Sequence, residues 1–211
     1  CQWTLSSAGY YGDGTGALTL DNTYIDKFAV FNEVRGSSDY GTTLDGIGTF
    51  CHEFSHCLGL PDFYDTEYSG SYFGMGNWSL MDGGSYADMG YCPRALTAWE
   101  RETMGWHTPS TITADGTYSM KSYDNGGESY RFCNPDNAND YIMLENIQNT
   151  AWNSKLPSHG LLAYRVNCPE KTISTSTKFN NEPGRPRMTV IPADGMLLST
   201  YEAPSSALYK D

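Results

Sequence analysis

The stretch from Gly48 to Asp65, GTFCHEFSHCLGLPDFYD, constrains this 211-residue chain more than any other. His52 and His56 stand four residues apart, which on an α-helix puts them on one face with Cβ atoms roughly 5–6 Å apart. Two imidazoles so placed can each offer a nitrogen to one Zn2+ at roughly 2.0–2.1 Å. Glu53 sits about 100° further round the helix, from where its carboxylate reaches a water on the metal. This is the two-His, one-Glu pattern in which the Glu is a general base for hydrolysis. HExxH alone arises by chance in about one chain in 200 of this length, and the glycine and acid that follow make chance rarer by a factor on the order of hundreds.

Gly59 lies three residues after His56, and Pro61 cannot continue a helix that Gly59 has ended. A left-handed turn at Gly59 would double the chain back and bring Asp62 to the metal. His52, His56 and Asp62 are therefore the expected ligands, with a fourth position left for water. The remaining histidines, His107 and His159, lie far along the chain, so Asp62 is the natural third ligand and Asp65 its runner-up.

A chain of this length can bury a proper core as one large domain or two small ones. Hydrophobic residues make up 39% and mean hydropathy is −0.50, the balance of a soluble globular protein. No apolar run approaches about 18 residues, so no membrane span is expected. A net charge of −12 repels phosphate backbones and excludes nucleic acid as a partner. Acidic loops at Asp62–Glu67, Asp82–Asp88 and Asp136–Asp140 are compatible with Ca2+, although solubility alone also explains the charge. The six cysteines have no CxxC spacing. Cys51 and Cys57 point to different sides of one helix and are poor partners; pairing elsewhere and burial as free thiols both stay open. The sequence opens on Cys1 without a signal segment, so an upstream part of its own precursor is expected.

In chain order, Gln2–Gly16 reads as a Gly/Tyr-rich loop, and YIDKFAVFNEV (24–34) has the character of one strand. The loop GSSDYGTT leads to Thr43, a plausible cap for a helix from Leu44 to about Leu58. On it Ile47, Phe50, Phe54 and Leu58 recur at helical spacing and form the expected core stripe. Trp78–Met81 is short and apolar, and Gly83–Gly84 forces a tight turn. Pro93 could open a second helix, RALTAWERETM, burying Leu96, Trp99 and Met104 and stopping at Gly105. Beyond Pro109 come the strand-like runs GTYSMKSY, ESYRFC, YIMLENIQ, GLLAYRV and RMTVIPA, with turns at DNGGE and NPDNAND. The expected fold class is α+β, with a boundary near 108–114 separating residues 1–108 from a β-rich module at 109–211.

HEFSHCLGLPDFYD followed by GNWSLMDGGSY resembles the immune-inhibitor-A-like metallopeptidases, a metzincin-related family of secreted bacterial enzymes. CPRALTAWERETMGW, YIMLENIQ, HGLLAYRVN and RPRMTVIPADG look similar to a form of that family common among gut Bacteroidetes. The resemblance implies a metzincin-like zinc peptidase half, with active-site helix, Met-turn and C-terminal helix, before the β-rich module. His52, His56 and Asp62 match the zinc ligands, Glu53 the catalytic base and Met81 the Met-turn. Metzincins more often carry a His where this chain has Asp62, so it resembles the Asp variant of the motif. The family also has upstream strands completing the cleft; only about fifty residues precede the motif here, so much of that half is expected to be missing.

The resemblance implies a secreted, cell-surface or periplasmic zinc endopeptidase acting on protein or peptide. Glu53 would take a proton from the attacking water and pass it to the leaving amine. Tyr86, five residues after Met81, or Tyr64 could donate to the oxyanion. Two rivals stand beside this reading. One is a zinc amidase acting on non-protein amides. The other is a catalytically inactive glycan- or protein-binding module, suggested by 14% aromatic residues and the β-rich tail.

Overall fold

The computed structural model describes residues 3–5, 18–25, 28–35, 43–67, 74–169, 173–182 and 185–193. The loop expected over Gln2–Gly16 lies outside them apart from Trp3–Leu5, and GSSDYGTT lies outside them apart from Thr43.

The region expected to form one strand is divided among several short ones. Strands β1 (Trp3–Leu5), β2 (Leu18–Leu20), β3 (Thr23–Ile25), β4 (Phe28–Val30), β5 (Val34–Arg35) and β6 (Thr43–Leu44) make three two-stranded ribbons. β2 and β3 form a hairpin through Asp21 and Asn22, both with positive φ, as a tight two-residue turn requires. β4 pairs with β1, and β5 with β6. Successive segments take different partners, so 24–34 cannot run as one strand.

Helix α1 (Ile47–Cys57) starts three residues later than expected, because Thr43 and Leu44 are held in β6. Gly46, and not Thr43, is its N-cap, and no side chain caps it. Asp45 lies alongside, accepting from the Gly46 amide at 2.9 Å and pairing with Arg35 at 2.9 Å.

The expected core stripe of α1 faces the other way. Ile47 and Phe54 are each 47% exposed and Leu58 is 44% exposed, while Gly48, Thr49, His52, Glu53 and Ser55 are buried. Close backbone contact explains the reversal. A Cβ on Gly46 would stand 2.1 Å from the Gly90 carbonyl carbon, and one on Gly48 would stand 1.8 Å from the Ser85 carbonyl oxygen. The helix therefore seats its small and polar face on the Gly83–Gly90 segment, a 3-10 stretch broken by a kink at Ala87–Met89. Among the described residues its apolar face lies toward the N-terminal ribbons, where Phe50 packs edge-on to Phe31 with centroids 5.0 Å apart.

Helix α2 (Ala98–Thr103) also starts later than expected. Thr97 is its N-cap in a complete capping box with Glu100, which competes successfully with Pro93 for the helix start. Trp99 is buried, Leu96 and Met104 are partly so, and Gly105 ends the helix at φ +74°.

A five-stranded sheet follows, in the order β11 (Met188–Val190), β10 (Gly160–Asn167), β9 (Asn137–Ile147), β8 (Ser129–Asn134) and β7 (Ser110–Thr111). All neighbours are antiparallel except β7 and β8. On β10, Leu162, Tyr164 and Val166 are buried while Leu161 is exposed, the period of two that a half-buried strand imposes. GTYSMKSY forms no strand. β7 occupies the edge beside β8, and Tyr118 lies edge-on to Tyr130 instead of extending the ladder. The NPDNAND turn shrinks to Pro135–Asp136, because Asn134 already pairs with Asn137. One buried apolar cluster gathers Leu60, Phe63, Met81 and Trp99 with Met143, Tyr164, Phe179 and Met188, so it draws on both sides of residues 108–114.

Candidate metal centre

α1 carries His52 and His56 one turn apart, with ring centroids 4.8 Å apart and planes at 87°. Gly59, at φ +101°, turns the chain back beneath the helix, a conformation open to glycine at little steric cost. Asp62 thereby reaches both rings: its Oδ1 stands 3.1 Å from His52 Nε2 and 3.3 Å from His56 Nε2.

The other ring nitrogens are spoken for. His52 Nδ1 lies 2.9 Å from the Leu80 carbonyl and His56 Nδ1 lies 2.7 Å from the Leu60 carbonyl. A carbonyl accepts and never donates, so each neutral ring keeps its proton on Nδ1 and turns a lone pair outward from Nε2. Asp62 Oδ1, buried and without a hydrogen-bond donor of acceptable geometry, meets those two lone pairs. Three acceptors at this spacing need a cation among them. Donors at 2.0–2.1 Å from a tetrahedral ion stand about 3.3 Å apart, so the donor set fits such an ion in both spacing and chemistry. Among the described residues this is the group of three His, Cys, Asp or Glu side chains close enough to hold a metal.

Burial alone would lower the His52 imidazole, but Asp62, the Leu80 carbonyl and Glu53 outweigh it, and its pKa is raised. Burial alone would raise Asp62, yet the two imidazoles hold its carboxyl far below the usual range.

Glu53 is buried beside the first imidazole. Leu80 and Met81 form a turn beneath the site. The Met81 carbonyl accepts from Phe63 N at 3.0 Å, tying this turn to the residue after Asp62. Met81 itself is fully buried. Tyr86 lies on the 3-10 stretch with 52% exposure, outside the three-donor cluster. Asp65 is buried and accepts from Glu67 N at 3.0 Å, a turn role. Two of the acidic groups expected to favour Ca2+ have protein partners: Asp82 caps the Met75, Gly76 and Gly83 amides, and Asp140 pairs with Arg165.

The backbone acceptors Leu60 and Leu80 and the buried Glu100 under the Met81 turn were missed in the sequence. Carbonyls leave no mark in residue type. Glu100 did leave one, the Thr97-Ala98-Trp99-Glu100 capping pattern, which the expected start at Pro93 obscured.

Two imidazoles on a helix bearing HExxH, with a carboxylate from the loop that follows it, surround one point and form a donor set that could hold a metal ion. Residues 36–107 match the immune inhibitor A peptidase M6 family over its catalytic domain. The pre-pro-metalloprotease PrtV of Vibrio cholerae serotype O1 is 42% identical over 87 residues, covering 39% of this chain and 10% of PrtV. Immune inhibitor A of Bacillus thuringiensis subsp. alesti is 29% identical over 120 residues, covering 54% of this chain and 16% of that protein. The chain thus spans a small part of the length of these relatives. No solved structure matches it significantly. The resemblance to the immune inhibitor A peptidases is shown over this stretch, and it supports a metallopeptidase with a metal at this centre.

Proposed function

We propose that this chain is the core of a secreted zinc endopeptidase. The observation that carries the reading is the convergence of His52 Nε2, His56 Nε2 and Asp62 Oδ1, with both Nδ1 atoms committed to carbonyls. These three residues would hold the ion. Zinc held there would supply a water of pKa about 7 and a Lewis acid for a scissile carbonyl.

Glu53 serves as general base. It accepts the proton of the attacking water and returns it to the leaving amine, so the peptide C–N bond breaks with the proton balance closed. Its burial strengthens its interaction with a developing charge. Asp62 carries negative charge where a third His would be neutral, so it moderates the Lewis acidity of the ion. Met81 forms the floor of the site in the manner of a Met-turn, and Tyr86 is the candidate oxyanion donor. The sheet after residue 108 braces the ligand loop through the shared apolar cluster. A protein or peptide substrate is supported by the name of the metalloprotease relative, and secretion by a relative named "Putative secreted metallopeptidase".

The test is metal content of the purified chain alongside hydrolysis of casein and of a panel of small amides, with and without chelator. About one zinc per chain and chelator-sensitive casein cleavage are expected. Cleavage confined to small amides would assign an amidase, and a chain without zinc or activity would overturn the reading.

A further inference from the structure

Glu100 is fully buried, which for a carboxylate is costly unless every oxygen is engaged. Capping α2 does not require this depth, since a capping-box glutamate works equally well at the surface. Its Oε2 accepts from Thr97 N. Its Oε1 leaves the helix altogether, accepting from the Ser79 hydroxyl at 2.5 Å and from Met81 N at 3.3 Å. Ser79 Oγ in turn accepts from Met81 N at 3.0 Å. Between these two anchored residues lies Leu80, whose carbonyl accepts from His52 Nδ1 at 2.9 Å.

We infer that Glu100 and Ser79 are positioning residues for the metal centre, an inference that rests on the metallopeptidase reading above. They hold the Leu80–Met81 peptide so that its carbonyl keeps the His52 proton on Nδ1 and leaves Nε2 bare for the ion. The Met81 carbonyl, fixed by the same clamp, accepts from Phe63 N at 3.0 Å and steadies the loop that presents Asp62. One buried carboxylate on α2 thus sets two of the three metal-binding arms without touching either.

Groups behind metal ligands typically contribute 10–100-fold to affinity. Ser79→Ala and Glu100→Ala are therefore expected to bind Zn2+ about 10–100-fold more weakly by competition with a chelating dye. Glu100→Gln keeps an acceptor oxygen facing Ser79 and should bind close to the parent. Tyr164→Phe is the stability control: it removes the hydroxyl between Trp99 N and Glu145 on the far side of α2, and should lower the melting temperature while leaving zinc affinity unchanged. A second readout needs no metal. Long-range proton–nitrogen NMR correlations of the neutral, metal-free chain should show His52 as the Nδ1–H tautomer in the parent and a mixture in Ser79→Ala.

Parental zinc affinity and an unchanged His52 tautomer in folded Ser79→Ala would overturn the inference, whether or not Glu100→Ala folds. So would an equal loss of affinity in Tyr164→Phe, which would reduce the clamp to general stability. A parent chain that takes up no zinc would instead overturn the metallopeptidase reading, and this inference with it.

Discussion

His52 Nδ1 stands 2.9 Å from the Leu80 carbonyl, and that contact orients the ring so that Nε2 faces Asp62. The centre is thus organised from behind, by backbone. Binding loses less free energy to ordering when the donors already converge.

Glu53→Gln is expected to retain zinc and fold while losing about 10²–10⁴-fold in turnover, the usual contribution of a positioned base. Casein hydrolysis at matched metal content checks it; cleavage at the parental rate would remove Glu53 from the mechanism.

Asp62→Asn should weaken zinc binding markedly, because the amide lacks the charge that completes the donor set. Asp62→His should retain the metal, and Asp65→Asn should leave stoichiometry unchanged, since Asp65 is occupied with the Glu67 amide. Zinc titration of the three variants decides; undiminished affinity in Asp62→Asn would move the third-ligand role elsewhere.

The outward apolar stripe of α1 makes an unusual mutational prediction. Phe54→Ser, at a site 47% exposed, should lower unfolding free energy by less than about 1 kcal/mol. Phe63→Ala, fully buried against Trp99 and Phe179, should cost about 3–5 kcal/mol. Urea denaturation of both variants checks the order, and a core-sized loss at Phe54 would contradict the orientation of the helix.

Gly48→Ala tests the close approach of α1 to the 3-10 stretch. Its methyl group would stand 1.8 Å from the Ser85 carbonyl oxygen, so backbone must move. A loss of about 1–3 kcal/mol or more is expected, as for overpacked interiors. Because alanine is otherwise the better helix former, an unchanged or raised melting temperature would refute this packing.

Stability should also vary with pH through Asp82. Burial pushes its carboxyl up to about 6, against the opposing pull of the Gly76, Met75 and Gly83 amides. The ordinary value for an aspartate, taken for the unfolded chain, is 3.8. Between about pH 4 and 6 the folded state therefore holds a proton that the unfolded chain has released. The stability this group contributes is complete below about pH 4 and is lost as pH rises through about 6, a change on the order of 3 kcal/mol at most. Asp62 acts in the opposite sense, its contribution being present at neutral pH and lost on acidification. Asp82→Asn should gain stability relative to the parent as pH is raised across this window. Urea melts at the two ends measure it, and parallel curves would contradict the assignment.

The approach of Asp62 to the two imidazoles was legible because it is encoded within eleven residues, by helical spacing and the positive φ available to Gly59. Four of the five strand runs after residue 109 were legible through alternation. The inward face of α1 was not, because Gly48, Thr49 and Ser55 are buried for their small size and not for apolarity. The Ser79–Glu100 clamp joins residues 21 apart in sequence, a distance at which no periodicity speaks. GTYSMKSY had strand composition but joins no sheet, and only the tertiary arrangement reveals that.

Asn180 donates to the carbonyls of both Phe63 and Met188, at 2.6 and 2.7 Å. The loop bearing Asp62 is therefore fastened by a residue 117 positions further along from Phe63. A ribosome adding about 5–20 residues per second takes roughly 6–23 s to cover that distance. A nascent chain can display the two histidines on their helix throughout that interval without the third arm fixed. The loop that carries the third arm is thereby fastened only once Asn180 has been made, a delay written into the order of the chain.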